Sequence, residues 1–397
     1  MLNIRPDQVW TTPLNELDSV QKGFDHSKTV RFYDTTLRDG EQTTGIVFSA
    51  DDKVAIARKL AELGVSRIES GFPRVSDEDT EAVKRILDAG LSSEIWGFAR
   101  CLKADIDAHI ELGTRYILME ITTSDIKMKA FGFTREKVVE RIVSSVKHAK
   151  DNGVEKVNFF AVDSTRTDLS FLRDVYGSAL AAGADEVSVV DTIGVCAPET
   201  AEYLVRQVRS WFPSTPIHWH GHNDFGLATA AAVAAVRGGA DFVQGTINGM
   251  GERAGNADIS EVALALQMLY NVPVELDLSK ARAVSELVQE AGNYTVDCWK
   301  PVVGKYLFTR ESGGVAAQFH QPSAIEPYSA DIVHADRRVV LGKKSGLVSI
   351  KMKLEELGLK ASEDRQPQIL EKVKNLGTSK KRLVSDSEFR AIVAETV

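Results

Sequence analysis

The stretch Pro216-Ile217-His218-Trp219-His220-Gly221-His222-Asn223-Asp224 decides the fold. It reads as a β-strand that leaves the core at Asn223-Asp224, and Phe225-Gly226 then open a small-residue helix through Ala228, Ala230, Ala231, Ala232 and Ala234. On a strand, side chains at i and i+2 point to the same face, so His220 and His222 share a direction and make half of a metal site.

Working outward, the same strand-then-helix unit recurs along the chain. Short β-branched or aromatic runs near 30–35, 65–69, 94–99, 115–121, 156–162, 186–190, 216–222 and 241–247 are each followed by a helical pattern. Eight such units close into a (β/α)8 TIM barrel of the α/β class, with an open doubly wound sheet as the alternative. Local signals agree. Ser49 can cap a helix over Asp51–Leu63, Asp51 and Asp52 suit its positive end, Ile56, Leu60 and Leu63 fall on one face, and Gly64 stops it. Gly153, Gly183 and Gly239 punctuate later helices in the same way.

On such a barrel the polar clusters fall at the C-terminal ends of strands, where barrel enzymes keep their chemistry. Arg38, Asp39 and Gln42 follow the first strand, Glu69-Ser70-Gly71 the second, Asp191-Thr192 the sixth and the histidines the seventh. The glycine-rich run Asn248–Asn256 follows the eighth. Asp39 supplies the third ligand. One carboxylate and two neutral imidazoles leave positions on a divalent ion open for water or a chelating substrate. Mg2+, Mn2+ and Zn2+ all tolerate that set, so it does not choose among them.

Composition removes whole classes of function. With 397 residues and 43% hydrophobic content, a large barrel plus an appendage fits, and a net charge of −8 argues against a nucleic-acid binder. The short basic run Lys380-Lys381-Arg382 reads as a solvated helix start. Cys101, Cys196 and Cys298 are odd in number and far apart, which argues against a disulfide framework and for a reducing interior. No apolar stretch reaches membrane-spanning length, and residues 1–28 lack the basic start and apolar core of a signal peptide, so the expected setting is cytoplasmic.

Asp34–Gln42, His220–Asp224, Asn248–Asn256 and Gly342-Lys343-Lys344-Ser345-Gly346 together resemble the homocitrate synthase and 2-isopropylmalate synthase family, within the DRE-TIM metallolyase superfamily. The resemblance runs from about residue 30 to the C-terminus. It is nearest the nitrogen-fixation branch in Glu41-Gln42-Thr43, Phe48-Ser49-Ala50-Asp51 and Phe308–Gly313. It implies a divalent metal held by Asp39, His220 and His222, with Asn256 as a fourth ligand. It also implies a 2-oxo acid held by Arg38, Gln42 and Thr192, and condensation with an acyl-CoA followed by thioester hydrolysis. Glu69 and Arg166 are further candidate substrate-binding residues, and Arg38 adds fixed positive charge beside the reacting keto oxygen.

The resemblance breaks where acid–base chemistry is expected. Val162 stands where the family carries a glutamate, Val315 where it carries a histidine, Ile325 where it carries a tyrosine, and Lys127 replaces another histidine. A relocated base is then expected among His320, Asp163, Tyr328 and Lys127. A metal-dependent aldolase or lyase, and a non-catalytic metabolite-binding paralogue, are the alternatives.

Other residues carry lesser expectations. His218 is expected to be a buried partner behind the metal ligands, and Cys196 a packed thiol. Arg74 and Arg166 meet either a second anionic group on the substrate or a surface carboxylate. The expected domains are an N-terminal extension over 1–28, the barrel over 29–290 and a C-terminal subdomain over 291–397, with helices near Val348–Leu357, Gln366–Leu376 and Asp386–Val393. By resemblance, this last region completes a partner's site in a homodimer.

Overall fold

The computed structural model describes residues 6–397, so the first five residues of the expected N-terminal extension lie outside the described residues. Eight parallel strands form a closed barrel in chain order: β1 (Arg31–Asp34), β2 (Arg67–Glu69), β3 (Glu94–Arg100), β4 (Tyr116–Thr122), β5 (Lys156–Val162), β6 (Glu186–Asp191), β7 (Ile217–Gly221) and β8 (Phe242–Gly245). β1 closes on β8 with Phe32 opposite Val243 and Asp34 opposite Gly245, which removes both edges and settles the choice against an open sheet. Each strand starts and stops within one or two residues of the expected run.

The helices form for the local reasons anticipated. Ser49 accepts a hydrogen bond from the Asp52 backbone in a capping box ahead of Ala50–Leu63, and that helix buries Ile56, Leu60 and Leu63. Gly64 ends it at φ 94°, with an added Cβ only 2.9 Å from the Glu275 carbonyl oxygen. The strands' inner faces pack Tyr33, Trp96, Phe98, Leu118, Phe160 and Val190 into the barrel core.

At the strand starts the barrel is plugged by a charged network. Arg67 donates to both oxygens of Glu186 at 2.5 and 2.9 Å, with its guanidinium 3.9 Å from the Phe242 ring centre and 4.7 Å from that of Trp96. The His218 Nε2 sits 2.8 Å from Glu186 and its Nδ1 3.2 Å from Gln244 Nε2, so His218 serves this network and not the metal ligands as expected. Its side chain lies two residues below His220 on the same inner face, and the N-terminal half of the strand holds it at the floor. Burial favours the neutral imidazole of His218. Burial alone would raise Glu186, but His218 and Arg67 hold its carboxyl down at about 2.

By contact density the chain divides into two compact units, residues 13–296 and residues 6–12 with 297–397. In the second, Thr309–Arg310 pairs in parallel with Arg338–Val339, and Val9 bridges to Tyr328. The helices Leu347–Glu356, Gln366–Lys380 and Asp386–Ala394 enclose Ile350, Ile369, Val373 and Phe389. Lys380-Lys381-Arg382 corrects an expectation: it ends a helix, with Lys381 at φ 52°, and Lys380 and Arg382 both donate to Glu388 of the next helix. Among the described residues no helix is long and apolar enough to cross a membrane. Cys101, Cys196 and Cys298 are free thiols.

Candidate active site

The turn after β1 is built by its own polar side chains. Buried Asp34 accepts from the Thr36 backbone and hydroxyl, both at 2.9 Å, and its carboxyl is pushed up to about 7 by burial. Glu69, at the end of β2, accepts from Thr35 Oγ1 at 2.5 Å and from Arg38 Nε at 2.8 Å. These bonds place the Arg38 guanidinium 4.3 Å from the Phe98 ring centre, with Nη1 3.6 Å from Asp39. The remaining nitrogen, Nη2, is buried with no partner.

Asp39, His220 and His222 converge, their donor atoms all within 4.8 Å of one another. His220 Nε2 lies 3.3 Å and His222 Nε2 3.5 Å from the same Asp39 oxygen, and Asn256 Nδ2 donates to it at 3.1 Å. His220 is in β7, while His222 stands just beyond its end and forms an antiparallel bridge with Asn256. Burial works to raise the Asp39 carboxyl, but Arg38 and the two imidazoles hold it well below the usual carboxylate range. Burial keeps His220 neutral, the form that binds a cation.

Buried polar atoms rarely stay unmatched. Here His220 Nδ1, both ring nitrogens of His222, Asn256 Oδ1 and Arg38 Nη2 are buried without hydrogen-bond partners. That concentration around one carboxylate and two imidazoles fits a divalent cation and an anionic ligand, and the donor set is the one such ions take.

The loop carrying Asn256 depends on glycine. At Gly255, φ 84°, an added Cβ would stand 1.9 Å from the Gly249 carbonyl oxygen; at Gly251, φ 147°, it would stand 2.3 Å from Asn256 Nδ2. These two bare positions let residues 249–256 fold tightly enough to aim Asn256 at Asp39.

Above the triad opens a cavity of about 620 Å3, lined among others by Arg38, Gln42, Glu120, Lys127, Val162, Thr192 and both histidines. Thr192 Oγ1 accepts from the Asp163 backbone N–H at 2.8 Å, which leaves its own proton to donate. Arg38, Asp39, Gln42, Thr192, His220, His222 and Asn256 are thus brought together.

Other expected site residues of the barrel are engaged elsewhere within it. Glu69 lies fully buried behind Arg38, a brace for the guanidinium and not a wall of the cavity. Asp163 is buried at φ 69°, its carboxylate taken by Arg166 at 2.7 to 3.1 Å and by Ser124 at 2.5 Å. Arg166 thus has its anion three residues away in the chain, and neither residue lines the cavity. Arg74 likewise pairs with Asp105 at 3.1 Å. His320 is exposed in the second unit, and Tyr328 is buried there against Phe308. Cys196 is a packed thiol, pushed up to about 12 by burial.

Glu120, on β4, was missed. It lines the cavity, partly buried, and burial together with the Asp39 and Glu69 carboxylates, against the pull of Arg38, pushes its carboxyl up to about 7. A sequence signal existed: it is the one charged residue in the run Ile117-Leu118-Met119-Glu120-Ile121, at the inward parity of Leu118.

Residues 29–288 match the protein family described as HMGL-like, and residues 302–381 the one described as homocitrate synthase post-HMGL domain-like. The chain is 40% identical over 366 residues to homocitrate synthase AksA of Methanothermobacter thermautotrophicus, covering 92% of this chain and 93% of that one. It is 42% identical over 364 residues to 2-isopropylmalate synthase of Sulfurisphaera tokodaii, covering 91% and 94%. The HMG-CoA lyase structure from Brucella melitensis aligns at a TM-score of 0.60 and 20% identity, over 67% of this chain and 99% of that one, a likeness of fold alone. With the HMGL-like barrel, the post-HMGL region and relatives of this identity along nearly its whole length, the chain belongs to the DRE-TIM synthase family, the acyltransferases that include the homocitrate and 2-isopropylmalate synthases.

Proposed function

We propose that this chain condenses the acyl group of an acyl-CoA, acetyl-CoA being the expected donor, with a 2-oxo acid and hydrolyses the resulting thioester. With acetyl-CoA the products are the 2-hydroxy acid bearing a new carboxymethyl group on C2 and free CoA, with one water consumed. The observation that carries this reading is the convergence of Asp39, His220 and His222 beside the unpartnered Nη2 of Arg38 at the base of a cavity large enough for a small acid.

In this reading Asp39, His220, His222 and Asn256 hold a divalent cation, which supplies Lewis-acid polarisation of the keto group. Arg38, aligned by Glu69, uses Nη2 to bind the 2-oxo acid and to stabilise negative charge as it grows on the keto oxygen. Thr192 donates its hydroxyl proton to the substrate carboxylate, and Gln42 closes the same side. Apolar Phe98 and Phe160 beside these groups keep the reacting centre dry.

A CoA-independent lyase is the weaker reading, because relatives above 40% identity carry synthase names and the lyase likeness is confined to fold. The homodimer and cytoplasmic setting rest on the resemblance, and light scattering of the purified protein measures the first.

The test is purified protein loaded with Mg2+, Mn2+ or Zn2+, given acetyl-CoA and a panel of pyruvate, 2-oxoisovalerate and 2-oxoglutarate, with free thiol as the readout. Thiol release that needs one oxo acid is expected. Silence across the panel, with cleavage of a 2-hydroxy acid in the absence of CoA, would sink the synthase reading.

A further inference from the structure

Joining an acetyl thioester to a keto carbon requires a base for the methyl proton. Among the ionisable residues lining the cavity, Arg38, Arg100, Lys127 and Arg141 are cations. Asp39, His220 and His222 face one another across the metal position, and the buried Cys101 thiol is pushed up to about 12. Glu252 lies 3.4 Å from Arg253 with most of its side chain in solvent. Glu120 remains: among the described residues no hydrogen bond or ion pair engages its carboxylate.

Its placement is fixed by the barrel. Leu118, two residues earlier on β4, is part of the inner core, so Glu120 shares that inward face one layer closer to the rim. β4 and β5 pair with Glu120 opposite Phe160 and Thr122 opposite Val162. The acidic group therefore stands one strand across and one layer below the apolar Val162, and both line the same cavity.

We propose that Glu120 is the base that removes the methyl proton of the acyl thioester. The assignment rests on the condensation reading above. A Glu120 carboxylate oxygen takes the proton, and the C–H electron pair forms the new bond to the keto carbon. The keto π pair moves onto its oxygen, which receives the proton back from Glu120 and becomes the hydroxyl. Water then cleaves the thioester. A partly buried carboxylate without a partner suits this role, since one that holds a proton more readily than usual is a better acceptor near neutral pH.

The test compares the unaltered protein with Glu120→Gln, using the oxo acid that supports thiol release and measuring both that rate and calorimetric binding of the oxo acid. Glu120→Gln is expected to lower thiol release by about a hundredfold or more while oxo-acid affinity stays within about twofold. A fall of less than about tenfold, or a matching loss of oxo-acid binding, overturns the assignment and leaves the synthase reading intact. Silence of the unaltered protein across the panel, with cleavage of a 2-hydroxy acid in the absence of CoA, removes the synthase reading and, with it, this assignment. Should Glu120→Gln fail to fold, Glu120→Asp, which keeps the charge but withdraws the oxygens by one methylene, is measured in its place. A loss of about tenfold or more with binding retained supports the assignment, and a smaller one overturns it.

Discussion

The floor and the mouth of this barrel are built from the same residue types, and β7 supplies both: His218 to one and His220 to the other. At the floor, Arg67, Glu186 and His218 find one another at hydrogen-bond distance, and all three are buried and matched. What is left over there is amide only, Asn158 Nδ2 and Gln244 Oε1. At the mouth, Asp39, His220, His222 and Asn256 are buried and Arg38 nearly so, yet ring nitrogens, a guanidinium nitrogen and an amide oxygen go unmatched. Burial of charge alone does not mark a functional site. Burial of charge whose hydrogen-bonding capacity is left open does, because the open capacity costs stability until something binds.

Removing one member from each cluster should separate them. At the mouth, Asp39→Ala or His222→Ala is expected to weaken divalent-metal binding by about a thousandfold, with little change in the denaturant midpoint. Calorimetry showing undiminished affinity in both would break the distinction. At the floor, Glu186→Ala strands the Arg67 guanidinium without its carboxylate. It should cost about 3–5 kcal/mol in urea unfolding while metal affinity is unchanged. A loss of metal affinity as large as that of the mouth variants would mean that the two clusters act as one.

The smallest effect is the sharpest in sign. The Glu120 carboxyl titrates near 7 in the folded chain, above its ordinary 4.5, because burial disfavours the charge. Between those values the native chain holds a proton that the unfolded chain releases, so its stability falls as pH rises from about 4.5 to 7 and the full cost applies above. Glu120→Gln carries no such cost. In metal-free protein it should melt about 2 °C above the unaltered chain at pH 8, with the gain gone by about pH 5. An equal gain at both pH values would trace the effect to something other than ionisation.

How much of this was legible in the sequence follows from the range of each interaction. The strands were readable because apolar runs, capping serines and stop glycines act within a few residues. Asp39, His220 and His222 were readable because barrel geometry sends every strand end to one rim. Asp163 and Arg166 misled: singly they look like catalytic candidates, but the turn after β5 brings them together three residues apart. Glu69 misled for a related reason, since position at a strand end does not say whether a carboxylate faces the cavity or braces its neighbour. His218 could not be assigned without Glu186 and Arg67, which lie 32 and 151 residues away in the chain. Glu120 was hidden inside an apolar strand, where its inward parity becomes visible only once Leu118 is known to face the core.

Gly251 and Gly255 bear no reactive group, yet they decide which substitutions the site can absorb. A single methyl at either would collide with the carbonyl or amide that fixes Asn256, whereas Glu120 and Val162 project into open space from neighbouring strands. Side chains along β4 and β5 can therefore be exchanged without moving the ligand loop, while any side chain at 251 or 255 would displace Asn256.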